Sequence, residues 1–123
     1  MKSILIAEDH KDLAEMFRLA LETLDVHVDV ALDGPAAVAI AKERLPDLAL
    51  LDIGLPDVDG FEVCRRLRAL PGGADVRIVA LTTWSTEEDR RRGALAGFDE
   101  HWAKPIGLDL LLQLVRHQLL VAH

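Results

Sequence analysis

The sequence predicts an α/β domain: a single doubly wound (βα)5 unit over residues 1–123, built on a five-stranded parallel sheet. Two observations carry this. Three apolar runs of strand length, at 3–7, 48–52 and 76–81, lack polar alternation, as strands buried on both faces of a parallel sheet do. Between the strands the apolar spacing lengthens from two residues to about four, the repeat of an amphipathic helix. Strand and helix alternate five times along the chain, which calls for right-handed crossovers with helices on both faces.

The first strand is SILIA (3–7), and Leu13, Phe17, Leu21 and Leu24 mark the first helix. VHVDVAL (26–32) alternates, with Val26, Val28 and Val30 on one face and His27 and Asp29 on the other, as a half-exposed edge strand does. Val38, Ala41 and Leu45 define the second helix, and LALLD (48–52) is the third strand. Val63, Leu67 and Leu70 give the third helix, followed by VRIVAL (76–81) as the fourth strand. Ser85 with Glu88 forms a capping box for the fourth helix, which ends between Gly93 and Gly97. FDEHWAK (98–104) mixes polar residues with Phe98 and Trp102 and suits the opposite edge; Leu108, Leu112, Val115 and Leu119 mark the fifth helix.

Composition narrows the function. The formal charge is -7, with 21 acidic residues against 14 basic ones, which opposes general affinity for nucleic acid or anionic lipid. No apolar run approaches the roughly 18 residues of a membrane span, and MKSILIAEDH lacks the apolar segment of a signal peptide, so a soluble, cytoplasmic protein is expected. The lone Cys64 excludes an internal disulfide and reads as a small helix residue, not a nucleophile. His10, His27, His117 and His123 show no ligand spacing, which leaves a zinc site without support. Trp84 and Trp102 read as packing or surface residues, and RRR at 90–92, after EED, as a solvated face with paired charges.

In an open parallel sheet, working groups gather at the carboxyl ends of the strands. Those ends are Glu8 and Asp9, then Asp52, Thr82, and Lys104 with Pro105. An aspartate ending a strand can simply open a turn, acids suit a first helical turn, and an edge lysine is ordinary. None of these readings accounts for all four ends together. Three carboxylates in one crevice repel by roughly 4 kcal/mol per pair at about 4 Å, more than one lysine offsets. A hard divalent cation does, and Mg²⁺ is held by one or two carboxylates with waters and phosphate oxygens. Lys104 adds a point charge and Thr82 a hydroxyl, both suited to a tetrahedral anion. Thr83 is adjacent, but register favours Thr82.

In the pair Glu8-Asp9, in Asp52 with the following LPDVDG, in Thr82 and in Lys104-Pro105, the chain resembles, end to end, the receiver domains of two-component response regulators, the CheY-like superfamily. The resemblance implies a flavodoxin-like sheet of order 2-1-3-4-5 and a cis Lys104–Pro105 bond. It implies that Asp52 accepts a phosphoryl group from a histidine kinase or phosphotransfer domain, with Mg²⁺ held by Glu8, Asp9, Asp52 and the Gly54 carbonyl. Lys104 and Thr82 then contact phosphoryl oxygens, and the face of the fourth helix, fifth strand and fifth helix switches. This is phosphorelay signalling by a receiver that assists its own phosphorylation, not a conventional enzyme. His101 stands where the family usually has a switching Tyr or Phe, and Gly54 and Trp84 occupy the positions that tune phosphoryl lifetime, so slow hydrolysis is expected.

The alternatives are a pseudo-receiver that is never phosphorylated, a flavin mononucleotide carrier, whose phosphate Glu8-Asp9 would repel, and a dehalogenase-like phosphatase, which needs a second Asp where Gly54 stands. The receiver is expected to use the chain up to residue 123, leaving no effector after it. GFDEHWAKPIG faintly resembles receivers attached to the kinase domains of hybrid sensor kinases, and such attached domains are a further expected partner.

Overall fold

Residues 1–83 and 86–121 are described by a computed structural model, in which five strands and five α-helices alternate. They are β1 (Ser3–Ala7), α1 (Lys11–Glu22), β2 (His27–Ala31), α2 (Gly34–Glu43), β3 (Leu48–Asp52), α3 (Gly60–Ala69), β4 (Arg77–Thr82), α4 (Glu87–Ala96), β5 (Glu100–Ala103) and α5 (Leu108–Val121), with a 3₁₀ turn at Gly73–Asp75. All strands pair in parallel in the order β2-β1-β3-β4-β5, so VHVDVAL and FDEHWAK do form the two edges.

Every residue of β1 and β3 is buried, because each strand feeds both cores. Ile4, Ile6, Leu48 and Leu50 pack with Phe17 and Leu21 of α1 and Leu111 and Val115 of α5. Leu5, Ala7, Ala49 and Leu51 point to the opposite core, with α2 and α3. Period-two alternation thus places each residue on one face or the other. Trp102 is buried in the first core, its indole nitrogen donating to Glu100 Oε1 at 3.1 Å.

The helix starts have identifiable causes. Asp33 and Asp59 cap α2 and α3 by accepting from Ala36 N and Glu62 N, and Pro35 suits the first turn of α2. The expected capping box is displaced: Thr86, not Ser85, caps α4 and accepts from Asp89 N, not from Glu88. Ser85 itself lies outside the described residues. Gly97, at φ 111°, closes α4 in the left-handed region. Strand four begins at Arg77 because the Val76 amide is taken by the Gly73 carbonyl of the 3₁₀ turn. The expected charge pairing of residues 90–92 is absent among the described residues; Arg92 instead lies 4.2 Å above the Phe61 ring, where a guanidinium is attracted to the aromatic face. Among the described residues, no helix is long and apolar enough to cross a membrane.

Candidate functional site

Asp52 ends β3, Thr82 ends β4, Glu8 and Asp9 follow β1, and Lys104 follows β5, so the topology gathers all of them at the carboxyl rim. Lys104 Nζ lies 2.9 Å from Asp52 Oδ1, which also accepts from Gly54 N at 3.0 Å. One oxygen of Asp52 is therefore fixed by a cation and a backbone amide. A cleft of about 340 Å³ opens above it, lined by Asp52, Ile53, Gly54, Thr82, Thr83 and Lys104. Thr82 is buried and Thr83 exposed, yet both reach this cleft.

Glu8 is only 2 % exposed, and its Oε2 accepts from His10 N at 2.9 Å. Its Oε1 is 3.7 Å from Lys104 Nζ, an ion pair too long to be a hydrogen bond. That buried oxygen has no hydrogen-bond partner among the described residues. Burial pushes the Glu8 carboxyl above its usual pKa; the His10 amide opposes this, Asp52's charge adds to it and Lys104's counters it. Glu8, exposed Asp9 and Asp52 define the acidic corner, each offering an oxygen within 4.8 Å of the others. An all-oxygen set with an orphaned buried carboxylate oxygen fits a hard divalent cation and could hold one.

The loops explain the placement. His10 caps α1 through Nδ1, which accepts from Leu13 N at 3.2 Å, so the helix start and the Glu8 contact share one residue. Sequence reading gave His10 no such role, because capping is usually the work of Ser, Thr, Asp or Asn. After β3 the chain folds back: Gly60 N donates to Ile53 O at 3.1 Å. A Cβ at Gly60 would lie 2.8 Å from Ile53 Cα and 2.9 Å from Asp52 O, so glycine is required beside the end of β3. A Cβ at Gly54 would instead lie 3.8 Å from Asp52 Oδ1, an ordinary contact. Lys104–Pro105 is cis, and Lys104 N donates to Thr82 O at 2.9 Å.

Two sequence-selected residues stand apart from this centre. His101 is exposed on β5, opposite Ala80 and two residue pairs from the Thr82–Ala103 row. Trp84 lies outside the described residues. Cys64 is buried, and burial pushes its thiol to about 11, away from the reactive thiolate.

Residues 4–116 match the response regulator receiver domain family, and the chain belongs to it. It is 38% identical over 119 residues to the phosphate regulon transcriptional regulatory protein PhoB of Rhizobium meliloti, covering 97% of this chain and 52% of that protein. The chain thus spans about half the length of that regulator. A CheY-like receiver domain protein of Methanospirillum hungatei superposes with a TM-score of 0.90 at 25% identity, over 99% of this chain and 96% of the other. The receiver domain of a sensor histidine kinase from Pseudomonas aeruginosa superposes with a TM-score of 0.83 at 31% identity, over 94% and 95% of the two chains, and has a magnesium ion coordinated in its active site cleft.

Proposed function

We propose that Asp52 accepts a phosphoryl group in a phosphorelay, with residues 1–123 acting as one receiver domain. The observation that carries this is the Asp52 carboxylate, held at a rigid strand end by Lys104 Nζ at 2.9 Å and Gly54 N at 3.0 Å, beneath an open cleft. Glu8, Asp9, Asp52 and the Gly54 carbonyl would hold Mg²⁺, as the buried Glu8 Oε1 and the magnesium in the Pseudomonas aeruginosa receiver support. When bound, Mg²⁺ supplies positive charge against the carboxylates and the transferring group.

The donor is a phosphohistidine on a histidine kinase or phosphotransfer domain, free or attached as in a hybrid sensor kinase. An Asp52 oxygen attacks phosphorus in line as the phosphorus–nitrogen bond breaks; the electron pair leaves with the imidazole, which takes up a proton. Lys104, released from its contact with Asp52, meets the charge on the phosphoryl oxygens, and Thr82 donates its hydroxyl to them. Drawing the Thr82 loop inward biases the face of α4, β5 and α5, where exposed His101 replaces the usual aromatic switch residue. Gly54 leaves no side chain to position an attacking water, so the acyl phosphate persists. The setting is cytoplasmic, and this domain contacts neither nucleic acid nor membrane.

The test is incubation with acetyl phosphate and Mg²⁺ followed by intact-mass spectrometry. One labile phosphoryl group is expected on the wild type, none after addition of EDTA and none on Asp52→Asn. Equal labelling of Asp52→Asn would refute the assignment.

A further inference from the structure

Helix α4 is seated unevenly. Its buried residues, Gly93 and Ala96, lie in its C-terminal half and offer little apolar surface, and ahead of them the Arg92 guanidinium over the Phe61 ring is a polar contact that can slide as the helix turns. Its N-cap, Thr86, lies four residues along the chain from Thr82, the last residue of β4. The opposite end is gripped from outside the helix. Arg68 of α3 donates to the Gly97 carbonyl through Nε at 3.0 Å and Nη2 at 2.6 Å. The same guanidinium donates to Gly73 O at 2.9 Å, Val76 O at 2.5 Å and Asp99 Oδ2 at 2.8 Å. Asp99 Oδ2 also accepts from Ile78 N at 2.8 Å, which locks the start of β5 to β4.

Only a planar fork with several donors can serve three carbonyls of two segments and a carboxylate at once. The partners are complementary in shape as well: a Cβ at Gly97 would lie 3.0 Å from Arg68 Cγ, so glycine admits the arginine stem. A second rivet secures the neighbouring helix. Arg77 Nε donates to Gln118 Oε1 at 3.0 Å, and Gln118 Nε2 donates to Glu100 Oε2 at 2.6 Å, joining α5 to β4 and β5.

We propose that Arg68 makes the C-terminal end of α4 a fixed pivot, so that events in the acceptor cleft turn the N-terminal half of α4 about Gly97 while residues 97–100 stay in place. The phospho-acceptor reading supplies the driving event; the pivot itself is a property of the resting protein. Arg68 is here a positioning residue, distant in sequence and in the fold from the acidic corner.

Residue-resolved NMR with amide exchange tests it, using Mg²⁺ with beryllium fluoride as the mimic of the acyl phosphate. In the wild type, the mimic is expected to perturb residues 52–54, 82–83 and 87–92, with changes at 97–100 smaller by roughly fivefold or more. In resting Arg68→Met, amides 96–99 should exchange at least about tenfold faster, while Leu5 and Leu50 stay within about threefold of wild type. With the mimic, perturbation should then spread to 97–100. Arg68→Lys keeps the stem and charge without the fork, and should show the same spread even if the methionine variant does not fold. Wild-type perturbation at 97–100 equal to that at 87–92 would overturn the pivot. So would unchanged exchange at 96–99 in both variants. Absence of any response to the mimic, including at Gly54, would overturn the driven turn together with the acceptor reading, and resting exchange would still decide the pin.

Discussion

At Glu8 one buried residue would tie stability to the proposed metal binding. Two unit charges 4.8 Å apart repel by about 3.5 kcal/mol at an effective dielectric near 20, and Lys104 offsets part of the repulsion from Asp52. The folded Glu8 carboxyl has a raised pKa, so the folded state binds its proton more readily than the unfolded state. Its favourable contribution is present below the usual pKa and is lost as pH rises through the folded value. Glu8→Gln should therefore stabilise the metal-free protein at neutral pH, by roughly 1–2 kcal/mol after the Lys104 offset. Melting curves at about pH 5 and about pH 8 should converge for the variant relative to wild type. Millimolar Mg²⁺ should raise the wild-type melting temperature by mass action and leave Glu8→Gln nearly unmoved. Equal Mg²⁺ shifts in both proteins would remove Glu8 from the site.

The elements around the site place it by close contact as much as by burial. Gly60→Ala would press a methyl group onto Ile53 Cα and the Asp52 carbonyl, and neither backbone atom can yield without moving Asp52. A loss of about 1–3 kcal/mol is expected. Phosphorylation should slow as well, and denaturation curves with labelling rates check the two effects separately. At the other end of the sheet, Gln118 is 3 % exposed and bridges Arg77 and Glu100. Gln118→Leu leaves those charged partners short of hydrogen bonds and should lower stability by about 1–3 kcal/mol, with acceptor chemistry unchanged. A neutral or stabilising effect in urea denaturation would show that water satisfies them instead.

Over the whole molecule, the legible features were those that repeat or sit at element ends. SILIA and LALLD announced strands covered on both faces, and all ten of their residues are buried. The ends of those strands, with Thr82 and Lys104, come together as expected because parallel topology leaves them no other rim. Contacts that depend on loop geometry were not legible. His10 as a cap, Gly60 against Ile53 and Arg68 against Gly73, Val76 and Gly97 each join residues whose spacing in the sequence carries no period. Thr86 is the cap one residue past the expected Ser85 because a helix start can shift by one residue where serine and threonine, both able to cap, stand side by side. Acceptor chemistry, by contrast, can be read out at a single atom. Borohydride reduces an acyl phosphate of aspartate to homoserine, so reduction after acetyl phosphate and Mg²⁺ treatment, followed by peptide mapping, reports the modified position directly. Homoserine at position 52 and at no other aspartate is the expected result; reduction product at Asp9, Asp57 or Asp59 with none at Asp52 would contradict it.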